Sequence, residues 1–279
     1  MSFKLLQKTV KTILIGTIAT MLLLAGGFGY AYWIEPVWID IHSVPITLPR
    51  LKPEFQNYRI VQISDIHADE WMTTERLTAI VNRINQLQPD LVAITGDFVT
   101  GTPALYANIL TTALGQLAPR DLTVAVLGNH DHWSDPDIVR QALEQSSVTN
   151  ISNAVWTIQR NGTLLHIAGV DDIWTGNDRL DLVLEQLPAE GAAILLVHEP
   201  DFADISAATG RFDLQLSGHS HGGQVILPIF GPPKLPPYGL KYPVGRYQIG
   251  NMIQYTNRGI GMVTPRIRFN CRPEITLLR

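Results

Sequence analysis

Apolar positions recur along this chain in two periods, and the places where one yields to the other lay out the elements. Residues 58–64 form a nearly continuous apolar run of strand length. Residues 74–88 then place Leu77, Ile80, Val81, Ile84 and Leu87 on one helical stripe, which Pro89-Asp90 ends. Residues 91–95 predict the next strand and 103–118 the next helix, with Thr102 positioned as N-cap. A strand over 122–127 and a helix over 136–145 continue the alternation. Beyond it the pattern changes, because residues 155–159 and 163–170 flank Asn161-Gly162, a strong hairpin signal. Residues 180–187 read as a helix, 192–197 and 213–217 as buried strands, and 224–228 as a further strand. Alternation followed by hairpins predicts an α/β domain of mixed sheets with helices outside.

The N-terminus has a different texture. Residues 12–34 carry no charge and are long enough for a hydrocarbon core that takes about 20 helical residues. Lys4, Lys8 and Lys11 precede the run, while Tyr30, Tyr32, Trp33 and Trp38 gather at its far end as an interfacial belt. The charge bias predicts a cytoplasmic segment 1–11, a transmembrane helix 12–34, a linker 35–56 and an extracytoplasmic domain 57–279. A cleaved signal peptide is the rival reading, because small residues cluster between Ala25 and Ala31. There is no twin arginine, and Ser2 stands where myristoylation needs glycine.

Composition adds little to this division. The 279 residues accommodate one anchor and one globular core, without an internal repeat or low-complexity tail. Cys271, the single cysteine, cannot form an internal disulfide. The net charge of −4 hides an asymmetry: Lys234, Lys241, Arg246, Arg258, Arg266, Arg268, Arg272 and Arg279 face only Glu274 within residues 230–279. Such a patch would attract a phosphorylated substrate or anionic headgroups, or serve simply as a solvated face offsetting acidic neighbours. Nothing in the pattern points to nucleic acid as a partner, and oligomeric state is left open.

Chemistry enters where the strand-like runs end. Asp65-Ile66-His67, Gly96-Asp97, Gly128-Asn129-His130, His198 and Gly218-His219-Ser220-His221 follow one another in that order. They supply two aspartates, one asparagine amide and four histidines, with His130 left over. Two cations about 3.5–4 Å apart need roughly seven ligands with one shared carboxylate, so the inventory fits a dinuclear centre. Imidazoles mixed with carboxylates select a pair of divalent ions among Mn, Fe, Zn and Mg without choosing between them. Such a pair holds a phosphate, makes a bridging water acidic and stabilises both apical oxygens of an in-line displacement. If the segments are extended, residues two apart share a side, which brings His219 with His221 and Asp65 with His67.

These motifs, D-x-H, GD, GNH, a lone H and G-H-x-H in sequence, resemble the calcineurin-like metallophosphoesterase superfamily over about residues 57–279. A narrower likeness, to its bacterial membrane-associated phosphodiesterase branch, rests on the run from Gly218 to Gln224 and on Arg258-Gly259-Ile260-Gly261, Pro265-Arg266 and Pro273-Glu274-Ile275. The resemblance implies a four-layer αββα sandwich of two mixed sheets. It further implies one metal on Asp65, His67, Asp97 and His221, a second on Asp97, Asn129, His198 and His219, and His130 acting on the substrate phosphate or leaving oxygen. Some related branches cleave the diphosphate of a UDP-diacylglucosamine lipid precursor.

One departure narrows the substrate. Protein phosphatases of the superfamily carry G-D-x-x-D-R-G, whereas this chain reads Gly96-Asp97-Phe98-Val99-Thr100-Gly101, so Asp131, Thr100 or no neighbour at all is left to orient His130. Ser220 matches a nucleophile elbow, G-x-S-x-G, but no acid and histidine follow it in the order a triad requires. His42, His132 and His166 read as structural or solvent-facing, Asp171-Asp172 as a turn start, and Trp71 and Trp174 as packing residues with stacking on a base or sugar as the alternative. Residues 228–243, with six prolines, are either a lipid-facing lip or a rigid surface loop. The sum predicts a single-pass, membrane-anchored enzyme that hydrolyses a phosphodiester or diphosphate bond of a lipid- or nucleotide-linked substrate. The alternatives are a broad phosphomonoesterase acting on small soluble phosphates and a catalytically idle metal-binding scaffold.

Overall fold

The computed structural model describes residues 3–279. Ser2, and with it the argument about myristoylation, lies outside the described residues, as does the side chain of Lys4. Twelve strands form two six-stranded sheets. The first runs β1 (Asp40–Val44), β12 (Glu274–Leu278), β2 (Ile60–Ile63), β3 (Leu91–Thr95), β4 (Leu122–Val126), β5 (Val148–Asn150). The second runs β10 (Gly245–Ile249), β11 (Met252–Thr256), β9 (Leu214–Ser217), β8 (Ala192–Leu196), β7 (Thr163–Gly169), β6 (Ala154–Arg160). Both are mixed: β12 opposes β2 in the first, and the β6–β7 and β10–β11 hairpins flank parallel strands in the second.

Side-chain alternation separates the layers. Leu91 and Ala93 face the other sheet, joining Val124, Val126, Leu165, Ile167, Ile194, Leu196, Leu214 and Leu216 in the central core. Val92 and Ile94 face outward onto helices α2 (Thr74–Gln86), α3 (Pro103–Leu114) and α5 (Pro136–Gln145) through Leu77, Ile84, Leu110 and Val139. Ala193, Leu195 and Val197 do the same on the second sheet, against Val183 of α6 (Leu180–Gln186) and Ala203 of α7 (Ala203–Ala208). This is the expected four-layer αββα order. Strands buried on both faces read as continuous apolar runs, which is why β3, β4 and β8 were legible without a period of two.

Two expectations fail. Residues 35–56, expected as a linker, contain β1, which pairs in parallel with β12 from Asp40 opposite Glu274 to Val44 opposite Leu278. As an edge strand with three consecutive exposed residues, β1 leaves no apolar alternation to detect. Residues 224–228 are not a strand. Gly222, Gly223 and Gln224 all have positive φ, 59°, 82° and 57°, and turn the chain out of the sheet. Only isolated bridges from Val225 to Phe269 and from Leu227 to Gly231 remain.

At the N-terminus α1 (Phe3–Gly29) continues through a π-helical turn, Tyr30–Ile34, and a 3₁₀ turn, Glu35–Val37. The helical stretch Gln7–Val37 is long and apolar enough to cross a bilayer. Its end is tied into the domain: the Ala31 carbonyl accepts from Arg268 N at 2.9 Å, and the buried Glu35 carboxylate accepts from the backbone N–H groups of Asn270 and Cys271.

Candidate metal centre

All the ligand-type residues leave the carboxyl ends of strands on one edge of the sandwich, where open sheets place their sites. Asp65 and His67 follow β2, Asp97 follows β3, and Asn129 opens α4 (Asn129–Ser134) after β4. His198 follows β8, and His219 and His221 follow β9. They do not converge by strand alternation as expected. Asp65, His67, Asp97, His219 and His221 have φ of 52°, 47°, 57°, 70° and 51°, so these ligand-type side chains are aimed by left-handed turns. Such backbone costs of order 1–3 kcal/mol per residue and persists where the surroundings impose it.

The surroundings are tight. A Cβ on Gly96 would lie 2.6 Å from His198 Nδ1, and one on Gly128 or Gly218 would overlap the Asp97 or Asp65 carboxylate. Asp131 laces the loops together: Oδ2 accepts from the N–H groups of Asp97 and Gly128 at 3.0 Å, and Oδ1 accepts from Phe98 N at 2.8 Å. Burial, together with the nearby Asp97 charge, raises the Asp131 carboxyl to about 7. Asp131 therefore organises backbone and does not orient His130. Nor does Thr100, whose hydroxyl lies 2.8 Å from His67 Nδ1.

Two donor sets result. Asp65, His67 and His221 form one, and Asp97, His198 and His219 the other, each with its ligand atoms within 4.8 Å of one another. Asp97 Oδ2 lies 3.6 Å from His67 Nε2 and 3.1 Å from His198 Nε2, between the sets. In the first set His67 Nε2 and His221 Nε2 face each other at 3.0 Å, with Asp65 Oδ1 3.3 Å from the latter. Two imidazole lone pairs at that separation need a proton or cation between them.

The second set also presents lone pairs to its interior. His198 Nδ1 lies 2.6 Å from the Thr95 carbonyl oxygen and His219 Nε2 lies 2.8 Å from that of Pro237. A carbonyl only accepts, so these nitrogens carry the protons and His198 Nε2 and His219 Nδ1 present lone pairs. Those two atoms and Asn129 Oδ1 are buried without a hydrogen-bond partner. Burial holds His67 down at about 3 and His219 at about 4, which keeps both imidazoles neutral. His198 is shifted upward in spite of burial, by the Asp97 carboxylate, and Asp97 is correspondingly pushed down against burial by His198. The neutral His67 and His219 imidazoles, the ionised carboxylates and the orphaned acceptors fit two divalent ions, one of which would take the place of the proton that Asp97 draws onto His198.

His130 belongs to neither of these sets, but it forms a third close group with His67 and Asp97, their ligand atoms within 4.8 Å of one another. Its backbone N–H donates to Asp97 Oδ1 at 2.9 Å, and its half-buried ring lies between those of His67 and Trp133, 4.8 and 5.0 Å away. Beyond it opens a cleft of about 410 Å³. Its walls include Trp133, Trp174, Lys234, Leu235, Pro236 and Ile267.

The calcineurin-like phosphoesterase family matches residues 58–223, more than half the chain and every one of the ligand-type side chains from Asp65 to His221. The chain belongs to that family. It is 37% identical to the uncharacterized metallophosphoesterase YkuE of Bacillus subtilis, over 94% of this chain and 93% of that protein. It is 28% identical to the phosphodiesterase YaeI of Escherichia coli, over 94% of each. It is also 31% identical to a bovine transmembrane protein with metallophosphoesterase domain, over 85% of this chain and 56% of that one. This metallophosphoesterase is accordingly a metal-dependent phosphoric ester hydrolase that uses two divalent ions.

The supporting groups of the metallophosphoesterase site were the part sequence reasoning missed. Thr95 and Pro237 contribute backbone carbonyls, which leave no side-chain signature. Trp174 is held by its N–H donating to the buried Glu199 carboxylate at 3.4 Å, and its ring contacts those of Trp133, His219 and Tyr238. Asp172 starts a turn, accepting from Thr175 N at 2.8 Å, while His132 bonds Asp171 at 2.8 Å and His166 donates to the Glu190 carbonyl at 2.9 Å, all structural roles. Ser220 lines the cleft, with its hydroxyl donated to the Pro243 carbonyl. Much of the C-terminal basic run is answered locally: Arg258 and Arg272 pair with Asp40, Arg266 with Asp69 and Lys241 with Asp204. Arg268 is buried, donating to four backbone carbonyls.

Proposed function

We propose that this chain is a membrane-anchored phosphodiesterase or diphosphatase with a dinuclear centre, acting on a lipid- or nucleotide-linked substrate such as UDP-diacylglucosamine. The observation that carries the reading is Asp97 Oδ2 standing between His67 Nε2 and His198 Nε2, with orphaned acceptors around it. Asp65, His67, Asp97 and His221 would hold one ion, and Asp97, Asn129, His198 and His219 the other. When bound, the pair supplies charge neutralisation at phosphorus and an acidified water.

The chain's own residues do the rest. Thr95, Thr100 and Pro237 fix the tautomer or orientation of His198, His67 and His219. No side-chain hydrogen bond ties down the His130 imidazole among the described residues, so it is available to bind the phosphate or to protonate the departing oxygen. Lys234, exposed beside the cleft and without an ion pair among the described residues, attracts the anion. The apolar walls accommodate a second substituent on phosphorus beside the leaving group, which favours a diester or diphosphate over a small monoester. Lys8 and Lys11 at the start of α1 favour a cytoplasmic N-terminus and an extracytoplasmic catalytic domain.

The test is turnover of bis(p-nitrophenyl) phosphate and p-nitrophenyl phosphate by the full chain in detergent, with Mn, Zn and Mg added separately and Asp97→Asn as control. Metal-dependent diester cleavage that vanishes in the control supports the proposal. Monoester cleavage alone would replace it with a phosphomonoesterase, and metal uptake without turnover of either ester or of a UDP-linked lipid would replace it with a scaffold.

A further inference from the structure

The most exposed large apolar side chains of the described residues are not on α1. They are Ile229, fully exposed, and Phe230, 85% exposed, whereas the most exposed such side chain of α1 is Leu23 at 76%. Both sit at the tip of a closed turn in which Leu227 N donates to the Gly231 carbonyl at 3.0 Å and Gly231 N to the Leu227 carbonyl at 2.9 Å. Ile229 adopts φ 74°, a left-handed conformation that a β-branched residue avoids. A turn built this way keeps its two apolar side chains out of the protein at a conformational cost.

The base of the turn shows which direction that is. Ile226 N donates to the Phe269 carbonyl at 2.8 Å, and the Phe269 ring meets that of Tyr30, at the end of the apolar helix, at 6.3 Å and an interplanar angle of 90°. Residues 268–271 also receive Ala31 and Glu35, so the turn and the helix end are fastened to one strip of backbone. Four residues of chain span at most about 14 Å, which keeps Phe230 within that distance of Ile226 and leaves the level of Tyr30 within its reach. If α1 spans a bilayer, Tyr30, Tyr32 and Trp33 lie in its interfacial belt, and the turn reaches the same surface. A phospholipid interface accepts two bare apolar side chains at that level without a shaped partner.

We infer that residues 227–231 are a second, interfacial membrane contact, which together with α1 fixes the mouth of the cleft against a phospholipid leaflet. The inference rests on the anchor reading given above. Gln224 and Val225, at the root of the turn, line the cleft itself, and Lys234 follows it by three residues. A lipid-borne phosphoester therefore reaches the metal-ligand set with its headgroup in the cleft and its acyl chains in the leaflet.

The experiment places an environment-sensitive fluorophore on single cysteines in the full chain, reconstituted into phosphatidylcholine–phosphatidylglycerol vesicles; native Cys271 is buried. Phe230→Cys reports the turn and Ile18→Cys the anchor. Gln159→Cys reports the opposite end, where the neighbouring Arg160 pairs with Asp121. The expected result is a blue shift and quenching by shallow spin-labelled lipid at Phe230→Cys, quenching by deep spin-labelled lipid at Ile18→Cys, and neither at Gln159→Cys. Quenching at Ile18→Cys without quenching at Phe230→Cys overturns the inference and leaves the anchor standing. A blue shift at Phe230→Cys that lipid quenchers do not touch overturns it in favour of a contact between copies, and no quenching at Ile18→Cys removes both.

Discussion

The two ends of the sandwich both bury charge, and they do so on opposite terms. At the carboxyl ends of β2, β3, β4, β8 and β9, ligand-type side chains crowd together on left-handed backbone, with buried acceptors lacking partners. At the other end every named charge is answered. Arg160 pairs with Asp121 at 3.1 Å and Asp90 at 3.4 Å, Arg120 pairs with Asp90 at 3.4 Å, and the Tyr58 hydroxyl donates to Asp121 at 2.6 Å. Arg160 also lies 4.8 Å over the Tyr58 ring. Unanswered polarity marks the end that awaits a ligand, and answered polarity marks the end that only folds.

Substitutions should divide the same way, and the largest effect belongs to Asp97→Asn. Metal-dependent turnover should disappear, because the carboxylate between the two donor sets is lost, as it should disappear from the wild type on chelation and return with added metal. The thermal midpoint of the metal-free chain should fall, because the substitution leaves the buried His198, whose pKa Asp97 raises, without its carboxylate partner. Calorimetry in chelator checks this; an unchanged or higher midpoint would mean the buried charges of the metal end cost the fold stability that only a ligand recovers. Next comes His130→Ala, expected to lower turnover by about 10²–10⁴-fold, the range of general acid–base catalysis, with two metal equivalents retained. Loss of metal along with turnover would make His130 a ligand.

How legible each end was in the sequence follows from the same contrast. The ligand-type residues stand out because Asp, His and Asn after apolar runs are conspicuous, and β3 and α5 were placed to the residue because buried strands and capped amphipathic helices carry local signals. What was hidden is what depends on chain far away. β1 is a strand because β12, more than 200 residues later, lies beside it, and Asp40 finds its guanidiniums on Arg258 and Arg272. The left-handed turns at Asp65, His67, His219 and His221 replaced the simple alternation expected for D-x-H and H-x-H, because the preference of Asp and His for positive φ is too weak to mark individual positions.

Glu35 tests whether the metal end extends into the N-terminal apolar helix. The buried Glu35 carboxylate accepts from Asn270 N and from the buried Cys271 N, so Glu35→Ala strands the Cys271 donor and should cost about 1–3 kcal/mol. Thermal unfolding of the full chain in detergent reads this directly. A chain begun near residue 50 should lose more, since it also lacks β1. An unchanged midpoint in both would show that the helix end is attached to the domain without supporting it.

The smallest effect belongs to the far end and is the cleanest discriminator. Tyr58→Phe removes one hydrogen bond, worth about 1 kcal/mol, from a residue with no contact to the cleft, so turnover should be unchanged while the unfolding midpoint falls. Burial, and then the Asp121 carboxylate that accepts its proton, raise the Tyr58 hydroxyl well above its ordinary pKa of 10. A group whose folded pKa is raised stabilises the fold below its unfolded pKa and loses that contribution as pH climbs beyond it. The gap between wild type and Tyr58→Phe should therefore be constant from neutral pH to about 9 and close above about 10, with denaturant titrations at each pH as the measurement. If the gap instead opened with alkali, or if turnover fell with it, the far end would be coupled to the metal end, and the division between an end that folds and an end that binds would not hold.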